Sequence, residues 1–71
     1  MKLKDFIEEV KKIKIKHALN VYDNQGNLLP YWIYEKMLDS EIVKKEIKST
    51  KIINPITDKL ENVKIAKCWL Q

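Results

Sequence analysis

An α+β fold is predicted for this chain: an N-terminal helix packed on a small antiparallel sheet of three or four strands, with a short helical connection between strands two and three. Three observations predict it. The opening segment repeats its apolar residues at helical spacing, the segment after it alternates apolar and polar residues, and turn-forming residues then separate the later apolar runs. Residues 1–71 form a single domain, near the size at which one core sustains a fold without help.

Each element has its own signal. Leu3, Phe6, Ile7 and Val10 fall at i, i+3, i+4 and i+7, with Lys4, Glu8, Lys11 and Lys12 outside the stripe, so a helix ends near Lys12. Ile13, Ile15, His17, Leu19 and Val21 then alternate with lysines and small or polar residues, which reads as a half-buried strand. The competing pattern, in which Val10, Ile13 and His17 prolong the helix, explains fewer positions. Asp23-Asn24-Gln25-Gly26-Asn27 holds the only glycine and reads as a hairpin loop. Leu28 to Tyr34 is expected as the return strand, with Pro30 placing it at an edge or near its own start. Asp39 or Ser40 could cap a short helix carrying Met37, Leu38, Ile42 and Val43 inward. Glu46 to Ile53 is the third strand, broken by Asn54-Pro55, and the chain turns around Thr57-Asp58-Lys59. Val63 to Leu70, apolar on both faces towards its end, is the fourth strand and a central one. The predicted core is Leu3, Phe6, Ile7, Val10, Ile13, Ile15, Leu19, Val21, Ile47, Val63 and Ile65.

All fourteen basic residues are lysine and the net charge is +4. Arginine carries the planar fork that reads guanine edges and clamps phosphates, whereas lysine is a hydrated point charge on a flexible stem. The composition therefore argues against sequence readout of DNA. Lysine, isoleucine and asparagine make up 29 of the residues, as expected for AT-rich coding, which weakens any functional reading of the lysines. Charge is uneven: residues 1–20 and 44–51 each carry +3, residues 21–43 carry −3, and residues 52–71 carry +1. On the predicted first strand Lys12, Lys14 and Lys16 would project as one row, able to neutralise phosphates in a salt-sensitive, sequence-independent way. Alternating lysine also keeps an outer sheet face soluble, and that plainer account is preferred.

Candidate chemistry is sparse. One cysteine gives no internal disulfide, and one histidine with it makes no metal cluster, so neither cofactor nor metal is expected. A nucleophilic pair of His17 and Cys68 would need the two adjacent with a third orienting group; a packed histidine and a small buried thiol explain them more simply. Glu8 and Glu9 diverge on a helix, and Asp23, Asn24 and Asn27 lack the spacing of a calcium loop. The most informative feature is the aromatic cluster Tyr31, Trp32 and Tyr34, with Trp69. Alternation would put Tyr31 and Ile33 on one face of the return strand and Trp32 and Tyr34 on the other. A one-layer sheet under a single helix leaves one such pair exposed, and exposed aromatics make interface hot spots or base-stacking platforms.

The opening Met1-Lys2-Leu3-Lys4-Asp5-Phe6-Ile7, the strand leading into Tyr22-Asp23-Asn24-Gln25-Gly26-Asn27-Leu28, and the later Glu46-Ile47-Lys48-Ser49 together resemble short accessory proteins of bacteriophages and mobile elements of low-GC Gram-positive bacteria. The resemblance implies no catalytic residues and a mode of action by binding a host protein, as anti-CRISPR and other anti-defence inhibitors do. Mimicry of DNA by an acidic surface does not suit a chain of net +4. The expectation is thus a non-enzymatic module acting stoichiometrically on a protein partner through Tyr31, Trp32 and Tyr34. Two alternatives stand beside it: a weak nucleic-acid binder using Lys12, Lys14 and Lys16, and a homo-oligomer pairing edge strands. Asp5, Glu8 and Glu9 interrupt any apolar signal core, and no run approaches the ~18 apolar residues of a membrane span. A cytoplasmic protein of a bacterial host cell, with no membrane partner, is expected.

Overall fold

The computed structural model describes residues 1–71. Its elements are α1 (Leu3–Lys11), β1 (His17–Tyr22), β2 (Leu28–Leu29), α2 (Tyr31–Tyr34), β3 (Ile42–Ile53) and β4 (Leu60–Leu70). The α+β architecture is as predicted: an N-terminal helix, a four-stranded sheet and a short helix between the second and third strands. The sheet order is β2-β1-β4-β3, and it is mixed rather than antiparallel, because β1 runs parallel to β4 along its whole length from His17↔Lys64 to Tyr22↔Trp69. β4 is central, as its two-sided apolar character predicted.

α1 buries Leu3, Phe6 and Val10, the stripe read from their spacing. They meet Val21 of β1 and Ala66, Cys68 and Leu70 of β4 in one cluster, with Ile7, Ile13, Leu19, Leu29, Tyr34, Met37 and Ile42 packed around it. The amides at the start of a helix have no partner within it. Here Leu3 and Lys4 donate theirs to the carbonyls of Ser40 (2.9 Å) and Leu38 (3.0 Å). The 35–40 segment is therefore a series of turns serving α1, not the helix expected from Asp39 and Ser40, and Ile42 and Val43 belong to β3.

Two further boundaries move. β1 starts at His17, not Ile13, because residues 12–16 are used in passing from the helix to the strand; Ile13 closes the last turn by donating to Val10 O and stays packed on the core. Ile15, left on that connection, is exposed rather than in the core. The return strand is only Leu28–Leu29, since Pro30 has no amide to continue the ladder. Its carbonyl instead accepts the amides of Ile33 and Tyr34 and opens α2.

Register assigns the two faces of the sheet. Ala66, Cys68 and Leu70 face α1, together with Ile47 and Lys45 of β3 opposite them. Lys67 and Trp69 face away, as do Glu46 and Lys44. Ile47 and Ile65 are not core residues as expected: Ile47 lies on the α1 side of an edge strand and is exposed, and Ile65 is half-buried on the uncovered face. Val63 is buried as predicted, while Ala66, Cys68 and Leu70 were not among the expected core.

Candidate protein-binding surface

α2 is a single turn none of whose residues is buried. Because it is helical, the alternating arrangement expected of Tyr31, Trp32, Ile33 and Tyr34 does not form. Tyr34 alone turns inwards, half-buried against the core, and burial raises its hydroxyl pKa above the ordinary value. Tyr31 meets it edge-on, with ring centroids 5.5 Å apart at 89°, a favourable aromatic geometry. Tyr31 and Trp32 are otherwise open to solvent, at 64% and 66% exposure, and Ile33 at 41%. Of the three predicted contact residues, two are thus presented and the third anchors them.

Beside this turn, a groove of about 520 Å³ runs between α1 and α2. Ile7, Leu19, Tyr31, Tyr34 and Leu38 give it an apolar lining, and Lys4, Glu8, Lys11 and Glu35 supply charge at it. Sequence reasoning did not single out the groove, because it forms only when the turns after α2 dock on α1. Three of its four charges are already paired, Lys4 with Asp39 at 3.2 Å and Lys11 with Glu8 at 3.4 Å. The Lys4 ammonium, then Lys2, also holds the Asp39 carboxyl below its usual pKa.

The uncovered sheet face carries a different aromatic pair from the one expected. Tyr22 and Trp69, opposite one another on β1 and β4, stack at 5.1 Å and 14°, and the Lys44 ammonium sits 4.8 Å from the Trp69 centroid on that same face. The pair is a self-satisfied stack: each ring already contacts a neighbour, so it is poorly placed as a base-stacking platform. Its signal in the sequence was that Tyr22 and Trp69 each follow a small apolar residue, Val21 or Cys68, that faces the core, but in two strands whose parallel pairing was not foreseen.

The remaining candidates are dispersed. Lys12, Lys14 and Lys16 lie on the α1–β1 connection, so they do not form a row on a strand face. Lys12 and Lys14 instead share a hollow with Glu9 and Lys64. Residues 1–41 carry no net charge and residues 42–71 carry all of the +4, but three of the β3 lysines are engaged: Lys44 at Trp69, Lys45 with Glu9 at 3.3 Å, and Lys48 with Glu46 at 3.8 Å. His17 pairs with Lys64 and Cys68 with Val21, four residues apart along the parallel ladder, about 13 Å at the usual strand rise. They make no dyad. His17 Nδ1 donates to Ile15 O at 2.9 Å, which places a proton on that nitrogen because a carbonyl can only accept. Asp23 closes its loop as the turn reading expected, accepting the amides of Asn27 and Gln25 at 2.9 Å, and these bonds lower its pKa.

No group of three or more histidine, cysteine, aspartate or glutamate side chains converges to hold a metal ion. No helix is long and apolar enough to cross a membrane. No protein-family model, curated protein or solved structure gives a significant match to the chain.

Proposed function

We propose that this chain is a small binding module that acts stoichiometrically, without catalysis, on a protein partner in the cytoplasm of a bacterial host, as an accessory or anti-defence protein of a phage or mobile element. The observation that carries the reading is the exposure of Tyr31, Trp32 and Ile33 on a turn that buries no residue. Large aromatic side chains left in water cost free energy unless something covers them, and tyrosine and tryptophan are enriched among interface hot spots. The −3 charge of residues 21–43 surrounds this turn in the sequence, so the complementary partner surface is apolar at its centre with basic residues at its rim.

A nuclease-treated pull-down tests this. Wild type should retain one defined protein in stoichiometric amount, and Trp32→Ala should lose it while keeping the wild-type melting temperature. Equal retention by the variant would remove α2 from the interface, and no retained protein would refute the reading.

A second reading rests on the +3 charge of residues 1–20: a weak, sequence-nonspecific nucleic-acid binder using Lys12, Lys14 and Lys16, the first two of which share a hollow with Lys64. It requires affinity for duplex that falls steeply with salt and weakens on Lys12→Gln, Lys14→Gln and Lys16→Gln together. Affinity insensitive to salt, or absent at low salt, refutes it.

A further inference from the structure

β3 is the long edge of the sheet: β4 pairs with one side of it over its full length, and no strand pairs with the other. Met1 covers the first part of that free side, since its carbonyl accepts the Ile42 amide at 2.8 Å and Lys2 bridges Glu41. A bulge follows between Ile42 and Lys44. From Lys44 onward the backbone edge is open. Open, flat edges are templates for another strand, and this one belongs to a hairpin that leaves Val43, Ile47, Ile52, Ile53, Ile56 and Leu60 exposed. Only 8 of 71 residues are buried in the isolated chain, so it has strong reason to cover more apolar surface.

We propose that the occupant of this edge is a second copy of the chain, with β3 pairing antiparallel to β3 about a two-fold axis through Ile47. The residues themselves select this register. Directly opposed residues in an antiparallel pair lie on the same side of the sheet. Centring on Ile47 sets Glu46 against the mate's Lys48, and Lys48 against the mate's Glu46, both on the uncovered face. Lys45 then meets Ser49 and Lys44 meets Thr50, so no lysine opposes a lysine. On the α1 side the two Ile47 side chains abut. Registers that keep both helices on one side but centre on Lys44, Lys45, Glu46, Lys48 or Lys51 set that residue against its own like charge. Centring on Ser49 or Thr50 brings no opposite charges together. The paired segment, Lys44–Thr50, begins where the bulge ends, and the product is one eight-stranded sheet with both helices on the same face.

The test is sedimentation equilibrium over a wide concentration range, with thermal melts in parallel. Wild type should reach twice the 8.5 kDa chain mass. Lys48→Glu should raise the dimer dissociation constant about tenfold or more, because two opposite pairs become two like pairs. Glu46→Lys should do the same. Each variant alone should tend to monomer, and their equimolar mixture should dimerise again, since the paired acidic side chains of one variant then face the paired lysines of the other. Ile47→Lys, at an already exposed position, should give a folded monomer by placing two lysines on the axis. Trp32→Ala should leave the mass unchanged, which separates this interface from the α2 surface. Wild type that remains at 8.5 kDa overturns the proposal and leaves the edge to a strand of another protein. A dimer that is indifferent to Lys48→Glu and Ile47→Lys overturns it equally.

Discussion

Cys68 reports directly on whether α1 is docked on the sheet. Its side chain is fully buried on β4 beneath the helix, and burial pushes its thiol from an ordinary 9.0 up to about 11. The Cys68 thiolate attacks a disulfide reagent such as dithionitrobenzoate and expels one thionitrobenzoate, and this exchange can follow two routes. Exchange in the folded protein at pH 8 would draw on roughly a hundredth of the thiolate that an ordinary cysteine offers, before any steric hindrance is counted. Exchange after opening draws on an ordinary thiol but waits for the core to come apart. At ~0.05–0.15 kcal/mol per residue a chain of this length has roughly 4–10 kcal/mol of stability, and even ~4 kcal/mol slows labelling about 10³-fold. Labelling in native buffer should therefore run at least about 10³-fold slower than in denaturant-unfolded protein under the same assay conditions, with the gap closing as urea is raised. A native rate within about tenfold of the unfolded rate would refute the docking of α1 over β4. The same thiol sets a pH dependence. Its folded pKa is raised, so the neutral form is the one that folding favours. The associated stability is present at and below pH 9.0 and is lost as pH climbs through about 11, amounting to at most about 2–3 kcal/mol.

Asn54→Ala should destabilise the β3–β4 hairpin by about 1–2 kcal/mol in urea unfolding, because Asn54 Oδ1 accepts the amide of Ile56 at 2.9 Å and its Nδ2 donates to Glu61 at 2.8 Å. Gly26→Ala should cost about 1 kcal/mol although nothing lies within 4 Å of the added carbon, because Gly26 sits at φ +83. Asp23 is a carboxylate with a lowered pKa, so its contribution is present above the ordinary 3.8 and is lost as pH falls through the lower folded value. Asp23→Ala should therefore flatten the acid limb of the stability curve, and an unchanged acid limb would show that the loop bonds contribute nothing to folding. Trp32→Ala should shift stability by less than ~0.5 kcal/mol, since its side chain is mostly in water.

What could be read from the sequence followed the physics of each signal. α1 was legible because Leu3, Phe6 and Val10 obey a period that only a helix satisfies, and all three are buried. The Asp23–Asn27 loop was legible because its residues specify their own backbone bonds. β4 was legible as central because it stays apolar at Cys68, Trp69 and Leu70, and neighbours on both of its edges keep even Trp69, on the face away from α1, half-buried. The Ile13–Ile15 alternation misled: a period of two shows only that a strand could form, and β4 pairs with β1 only from Lys64 onward. Around Pro30 the conflict lay between aromatic β-propensity and a missing amide, and the missing amide won locally. The candidate site was half legible. That Tyr31 and Trp32 are exposed followed from a core too small to hide them, while the groove beside them depends on contacts between α1 and residues 34–38, which no local pattern encodes.

The carbonyls of Leu38 and Ser40 that take up the first amides of α1 have a thermodynamic consequence. The turns that carry them follow directly from α2, so the segment presenting Trp32 is also the segment that seats the N-terminal helix. Any partner that orders α2 also holds α1 in place, and any loosening of α1 weakens the partner's grip by the same factor. Occupancy of the aromatic surface should therefore appear as slower exchange of the α1 amides.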